Sequence, residues 1–186
     1  MTLHEILVAL FPAANPKTSW QLRNDADDRG DYISEWALEG VPQPTVAELS
    51  EAAATLPLKL AIDAKVAELT AACAAAITGG FTCDALGAVY TYPSLVEDQL
   101  NLTGSIQLSQ LEDGQSEDWT TPFKCANSSG EWDAVAHTAA QIQKVGVRFT
   151  KIKLTYIGTK DALVKKAKAA TTLEDVSAIV WQTPAV

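Results

Sequence analysis

The sequence predicts an α+β fold in which helix dominates, and three observations carry that expectation. Alanine fills roughly one position in six, and alanine loses least on entering a helix. Apolar residues recur at helical spacing over 45–78 and again toward the C-terminus. Between these stretches lie short alternating runs bounded by turn-rich links, the pattern of small hairpins. The expected architecture is a long Ala-rich helix with small β-hairpins and a C-terminal helical segment. At 186 residues, the chain has the length of one ordinary domain or two small ones.

The elements follow in order. Thr2 and Glu5 have capping-box spacing, and Leu3, Ile6, Leu7 and Leu10 recur at helical intervals until Pro12 and Pro16 stop the helix. A helix this short is marginal in water, so its apolar face must rest on something. Residues 18–23 and 31–38 alternate as two strands around the polar link Asn24 to Gly30. Gly40-Val41-Pro42-Gln43-Pro44 is a stiff connector. Thr45 and Glu48 then open a long helix with two apolar stripes in different phases. The first is Leu49, Ala53, Leu56 and Leu60, and the second is Ile62, Val66, Leu69, Cys73 and Ile77. Pro57 lies between them, which predicts a kink or break there. Gly79-Gly80 ends the helix.

A second hairpin is expected over 81–92, a helix over 95–108, a loop over 112–118 and a third hairpin from Phe123 to Val135 around Asn127-Ser128-Ser129-Gly130. Residues 138–157 read as helix through Ile142, Val145, Phe149, Ile152 and Tyr156, with strand as the competing reading over 147–157. Asp161 to Ala169 is helical, and Thr171 with Glu174 is expected to cap a last helix ending near Trp181. This gives three segments: 1–44 as an N-terminal docking arm, 45–79 as the connecting helix and 80–186 as a C-terminal α+β domain. The arm carries the residues expected at a protein interface, Leu7, Leu10, Trp20, Tyr32 and Trp36. The stiff connector is expected to hold the arm away from the helix that follows.

Composition excludes several functions. A net charge of −9 leaves no basic stripe for displacing phosphate counterions, so no nucleic-acid partner is expected. The same charge opposes docking on anionic lipid, and no apolar run approaches the roughly 20 residues of a membrane span. Met1-Thr2-Leu3-His4-Glu5 lacks the cationic start of a secretory signal, so none is expected. Three irregularly spaced cysteines, Cys73, Cys83 and Cys125, suggest buried reduced thiols rather than a disulfide framework.

Catalytic and metal chemistry is equally thin. Only His4 and His137 are present, and no Gly-x-Ser-x-Gly elbow accompanies them. Asp133, four residues before His137, has the spacing to orient an imidazole. Cys83, Cys125 and His137 reach zinc-like proximity only through tertiary folding. A calcium loop starting at Asp25 would put Asp27 and Gly30 in place, but also Arg29 at position five and Trp36 at position twelve, where oxygen ligands belong. Phosphate-cradling glycine loops are missing. Lys165, Lys166 and Lys168 complement the negative end of a helix. No catalytic residue, cofactor or metal is therefore expected, and the protein is expected not to be an enzyme. Five tryptophans, Trp20, Trp36, Trp119, Trp132 and Trp181, serve equally well as anchors for small β-units or as contacts to partners.

A longer pattern of residues resembles an uncharacterised domain found in phage tail and tail-fibre-associated proteins. It runs through Gly80-Phe81, Tyr90, Asp98 to Gly104, Trp119-Thr120, Gly130 to Val135 and Ala139 to Ile142, and closes with Ile157 to Ala170 and Thr172 to Val176. Ile33 to Trp36 and Gly40 to Thr45, with Glu48-Leu49, look like the lead-in to such domains. Thr120-Thr121-Pro122 departs from the pattern, which has a shorter run into the hairpin. The resemblance implies a structural component of a virion tail, a baseplate or fibre-attachment adaptor made in the host cytoplasm. Its implied partners are other tail, baseplate or fibre proteins and further copies of itself. A fibre-assembly chaperone absent from the particle is the competing implication. The resemblance carries over no active-site residues.

Overall fold

The computed structural model describes residues 1–111 and 116–185. The order of elements is α1 (Leu3–Leu10), β1 (Trp20–Arg23), β2 (Tyr32–Trp36), α2 (Val46–Thr78), β3 (Phe81–Cys83), β4 (Tyr90–Tyr92), α3 (Val96–Leu108), β5 (Thr120–Ala126), β6 (Trp132–Thr138), α4 (Ala139–Lys168) and α5 (Leu173–Ser177). This is the helix-dominant α+β fold the sequence predicts. The loop expected over 112–118 lies partly outside the described residues. The chain divides into two compact units, residues 1–64 with 170–178, and residues 65–169 with the segment from Ile179 onward. No helix among the described residues is long and apolar enough to cross a membrane.

In the first unit the capping box forms as its spacing predicts. Thr2 Oγ1 accepts from the Glu5 amide at 3.2 Å, and the Glu5 carboxylate accepts from the Thr2 amide at 2.7 Å. That carboxylate is held below its ordinary pKa by these same bonds. The apolar side of α1 then lies on α2, where Ile6 shares a buried cluster with Ala52 and Leu56, flanked by Ala9 and Leu49. The expectation that the connector holds α1 away from α2 is therefore overturned. A left-handed Gly40 (φ +71°) lets the connector turn, and the Trp36 indole N–H donates to the Val41 carbonyl at 2.7 Å. The eight residues of α1 cover the nearest apolar stripe because they are too few to stand in water alone.

Thr45 and Glu48 cap α2 reciprocally, and the helix runs through Pro57 without a break. Proline removes one backbone donor, but the alanine-rich turns on either side continue the helix. The first stripe also differs from expectation. It is Leu49, Ala52 and Leu56, with Ala53 and Leu60 exposed, because α1 meets α2 along a 3-4 step. The second stripe, expected to be buried throughout, is buried at Leu69 and Cys73 and half-buried at Ile62, Val66 and Ile77.

The second unit is built on an antiparallel meander in the order β3-β4-β5-β6. The two expected hairpins are its halves, joined through the Thr91–Ala126 pairing. Alternation places Phe81, Cys83, Tyr92, Phe123 and Cys125 on the buried face. Helix α4 covers that face with Ile142, Val145, Phe149, Ile152 and Tyr156, so the ambiguous segment is helix, continuous from Ala139 to Lys168. Thr138 starts it, with its hydroxyl accepting from the Gln141 amide. Helix α3 packs alongside, and Gly146 opens the gap its Ile106 fills: any side chain there would collide with Ile106.

The turn from α2 into β3 needs glycine. Gly80 has φ +87°, and a Cβ there would meet the Tyr92 carbonyl oxygen at 3.0 Å. Ser94 secures the same turn, with its hydroxyl accepting from the Gly80 amide at 2.9 Å and donating to the Ile77 carbonyl at 2.7 Å. The last helix is shifted from expectation. Thr172 caps it by accepting from the Asp175 amide, and it stops at Ser177 rather than near Trp181.

Leu69 is fully buried beside Ala167 and Ile179, with Leu163, Val164 and Trp181 around them. We expect Leu69→Asp to cost about 4 kcal/mol, because it buries an unpaired carboxylate and removes an apolar anchor. Urea denaturation measures it, and a loss below about 1 kcal/mol would exclude Leu69 from the core.

Candidate functional site

The residues expected at an interface separate into two groups. Leu7 and Trp20 are buried inside the chain. Tyr32 and Trp36 are half-buried, and Leu10 is exposed. Trp20 and Trp36 are cross-strand partners and stack with centroids 6.0 Å apart, and Phe11 meets Trp36 edge-on at 5.2 Å. This aromatic cluster is what a two-stranded ribbon needs in place of a core of its own. The Trp20 indole N–H is fully buried with no hydrogen-bond partner among the described groups. Tyr32 is held at the outer end of the hairpin, where its hydroxyl donates to Asp25 at 2.9 Å.

The acidic hairpin loop is organised by its own arginine. Arg29 pairs with Asp27 at 2.7 Å and Asp25 at 3.1 Å, and the Asn24 amide donates to Asp31 at 2.8 Å. These carboxylates are directed at Arg29, Asn24 and Tyr32 rather than toward a common centre.

His137 sits at the junction of β6 and α4 and is completely buried. Its Nδ1 lies 2.8 Å from the Val135 carbonyl and its Nε2 lies 2.9 Å from the Tyr92 hydroxyl. The carbonyl can only accept, so Nδ1 carries the proton and Nε2 accepts from Tyr92. Asp133 does not orient the ring as its spacing suggested; the Val135 carbonyl does. Burial holds the imidazole below its ordinary pKa, opposed by the Val135 bond. Burial also pushes the Tyr92 hydroxyl far above its ordinary value. Cys73, Cys83 and Cys125 are buried free thiols, as expected, and burial raises the pKa of Cys73 and Cys125. The pair is a satisfied core linkage closed to solvent.

The surface features that remain are open grooves in which apolar and polar residues mix. In the second unit a cavity of about 440 Å³ opens beside α3 and β5, lined by Leu100, Gly104, Leu108, Pro122 and Lys124 among others. Val96, Leu100 and Leu108 are each more than half exposed along that helix. In the first unit a groove of about 590 Å³ is lined by Met1, His4, Val8, Ala9, Pro57 and Leu60. A second, of about 500 Å³, includes Leu3, Tyr32, Ile33, Pro44, Val46 and Leu49. Sequence reasoning missed the α3 face, although its four-residue apolar step was there to be read.

Residues 61–180 match the family described as a domain of unknown function, DUF4376. The chain belongs to that family. Residues 3–57 match a second family, described as XkdW protein. Together the two matches make this a phage-related protein. No curated protein and no solved structure matches the chain. The DUF4376 match takes in the sheet, α3 and α4, and the XkdW match takes in α1, the hairpin and the first third of α2.

Two outcomes follow from this geometry. Trp20→Phe keeps most of the apolar ring and deletes an unpartnered N–H, so we expect a change within about 1 kcal/mol, against about 3–5 kcal/mol for Trp20→Ala, both read by chemical denaturation. For His137, the unfolded chain takes up its proton near the ordinary value of about 6.5, and the folded chain only at lower pH. Between these values the unfolded state binds more protons. The stability from keeping His137 neutral is complete above about 6.5 and is lost as pH falls below it. We expect denaturation midpoints to drop from pH 7 to pH 5 in the native sequence, and His137→Gln to flatten that slope.

Proposed function

We propose that this protein is a structural component of a phage tail, an adaptor near the baseplate or the fibres, and that it acts by assembly rather than catalysis. The observation that carries the reading is the exposed apolar surface on a phage-related chain, above all the outer face of α3. Exposed apolar residues gathered along one helix face suit a binding surface. The titratable groups with catalytic potential point the same way: His137 is closed off by Tyr92 and Val135, and the acidic loop is engaged by Arg29. The partners are other tail, baseplate or fibre proteins and further copies of this chain, and the particle is its location. Tyr32, Trp36 and Leu10 offer contacts from the first unit, and α3 offers them from the second.

Mass spectrometry of purified particles tests this. The expected result is recovery of the chain in a fixed ratio to the other tail proteins. Abundance in the infected-cell lysate with absence from the particle would overturn the reading and favour a fibre-assembly chaperone.

A further inference from the structure

Two helices of the DUF4376 region present faces that are largely exposed among the described residues, although Leu154 at the margin of one also lines a groove of about 310 Å³ with Leu102 and Ile106 of α3. On α3, Val96, Leu100, Gly104 and Leu108 follow one another at four-residue steps and so share a side. Leu100 is 67% exposed and Leu108 is 55% exposed, and a side chain built on Gly104 would meet nothing. On α4, Val147, Lys151, Leu154, Gly158 and Lys165 follow at steps of four, three, four and seven, again on one side, and all five are exposed. Leu154 is 62% exposed, and Gly158 also stands in open space. Glycine inside a helix costs about 1 kcal/mol relative to alanine. Packing among the described residues calls for neither of these glycines, whereas the close approach of another helix would.

The two faces also differ in charge. Helix α3 carries Glu97 and Asp98 in its first turn and no cation. The α4 face carries Lys151 and Lys165, whereas Lys144 and Lys160 elsewhere on the helix are engaged by Asp84 and Asp161.

We infer that the outer face of α3 is a docking site for α4 of a second copy of this chain, with the two helices antiparallel. In that register Leu100 lies over Gly158 of the other copy and Leu154 over Gly104, so each leucine enters the gap left by a glycine. Leu111, which follows α3 and is exposed, then stands opposite Val147. Leu154 also reaches the cavity of about 440 Å³ that Leu100, Gly104 and Leu108 line beside the polar Asp98, Asn101 and Lys124. Glu97 falls within a turn of Lys165, and Lys151 falls beside the C-terminal end of α3, where a cation complements the helix dipole. A parallel arrangement would match only one leucine to a glycine. The second copy fits better than an unrelated protein because both the apolar steps and the opposite charges recur on the same chain. This inference rests on reading the chain as an assembly component and names the surface it would use.

Sedimentation velocity of the full chain, from micromolar to about 100 micromolar, tests it. The expected result is self-association that weakens as salt rises, because screening reduces the contribution of the charges. Gly104→Leu fills the gap on one helix and Gly158→Leu fills it on the other. Both improve helix propensity, so each is expected to weaken association at least tenfold while leaving the thermal midpoint unchanged or raised. Mixing Leu100→Cys with Gly158→Cys and oxidising should give a disulfide between the two variants, whereas Leu100→Cys with Val147→Cys should not. A chain that stays monomeric throughout the range would overturn the contact, as would variants that associate as the native chain does. Neither result would bear on recovery of the protein from particles, so this inference and the tail assignment fail separately.

Discussion

A four-stranded sheet exposes two faces, and in this protein one long helix covers one of them. Ile142, Val145, Phe149, Ile152 and Tyr156 lie along α4 at steps of three and four, and together they seal Phe81, Tyr92, Phe123 and the thiols beneath. The strands β3 and β4 are three residues each, too short to persist as a free hairpin. They depend on that cover. So does α3, which approaches α4 closely only because residue 146 has no side chain. His137 also owes its environment to this arrangement. Its position near the end of β6 sets the imidazole edge-on to Tyr92 and Phe123 and leaves it with two fixed hydrogen-bond partners in place of water.

The first unit uses a different means of stabilising little structure. Its ribbon has two strands and a bulge between Gln21 and Leu22, and its first helix has eight residues. Neither has a core of its own. Aromatic stacking between Trp20 and Trp36, and the seating of Ile6 against Ala52 and Leu56, supply what backbone pairing cannot. The indole N–H of Trp20, without an acceptor among the described residues, works against this gain, because a buried donor loses its bond to water.

Much of this architecture was legible in the residues. Capping pairs marked the starts of α1 and α2, Gly79-Gly80 marked the end of α2, and the apolar period of 142–156 identified α4 despite the β-branched run within it. What was not legible depended on neighbours distant in sequence. Pro57 is a local exception: it signals a kink or break because it lacks a donor, and the helix continues through it because helix propensity on both sides outweighs one missing bond. The joining of two hairpins into one sheet rests on the single pairing of Thr91 with Ala126, 35 residues apart, which no local pattern announces. The expected interface residues carried the same limit. A tryptophan on a hairpin looks alike in sequence whether it faces a partner, as half-exposed Trp36 can, or its own ribbon, as Trp20 does.

The three thiols give the molecule an internal clock. Cys73, Cys83 and Cys125 come from three separate elements and meet in one buried cluster. An alkylating reagent needs thiolate and access, and burial withholds access from all three and disfavours the thiolate at Cys73 and Cys125. Labelling therefore waits on the opening of that core. A brief pulse of reagent, applied to free protein or to protein within an assembly, would record how often that core opens in each setting without any probe having to be introduced.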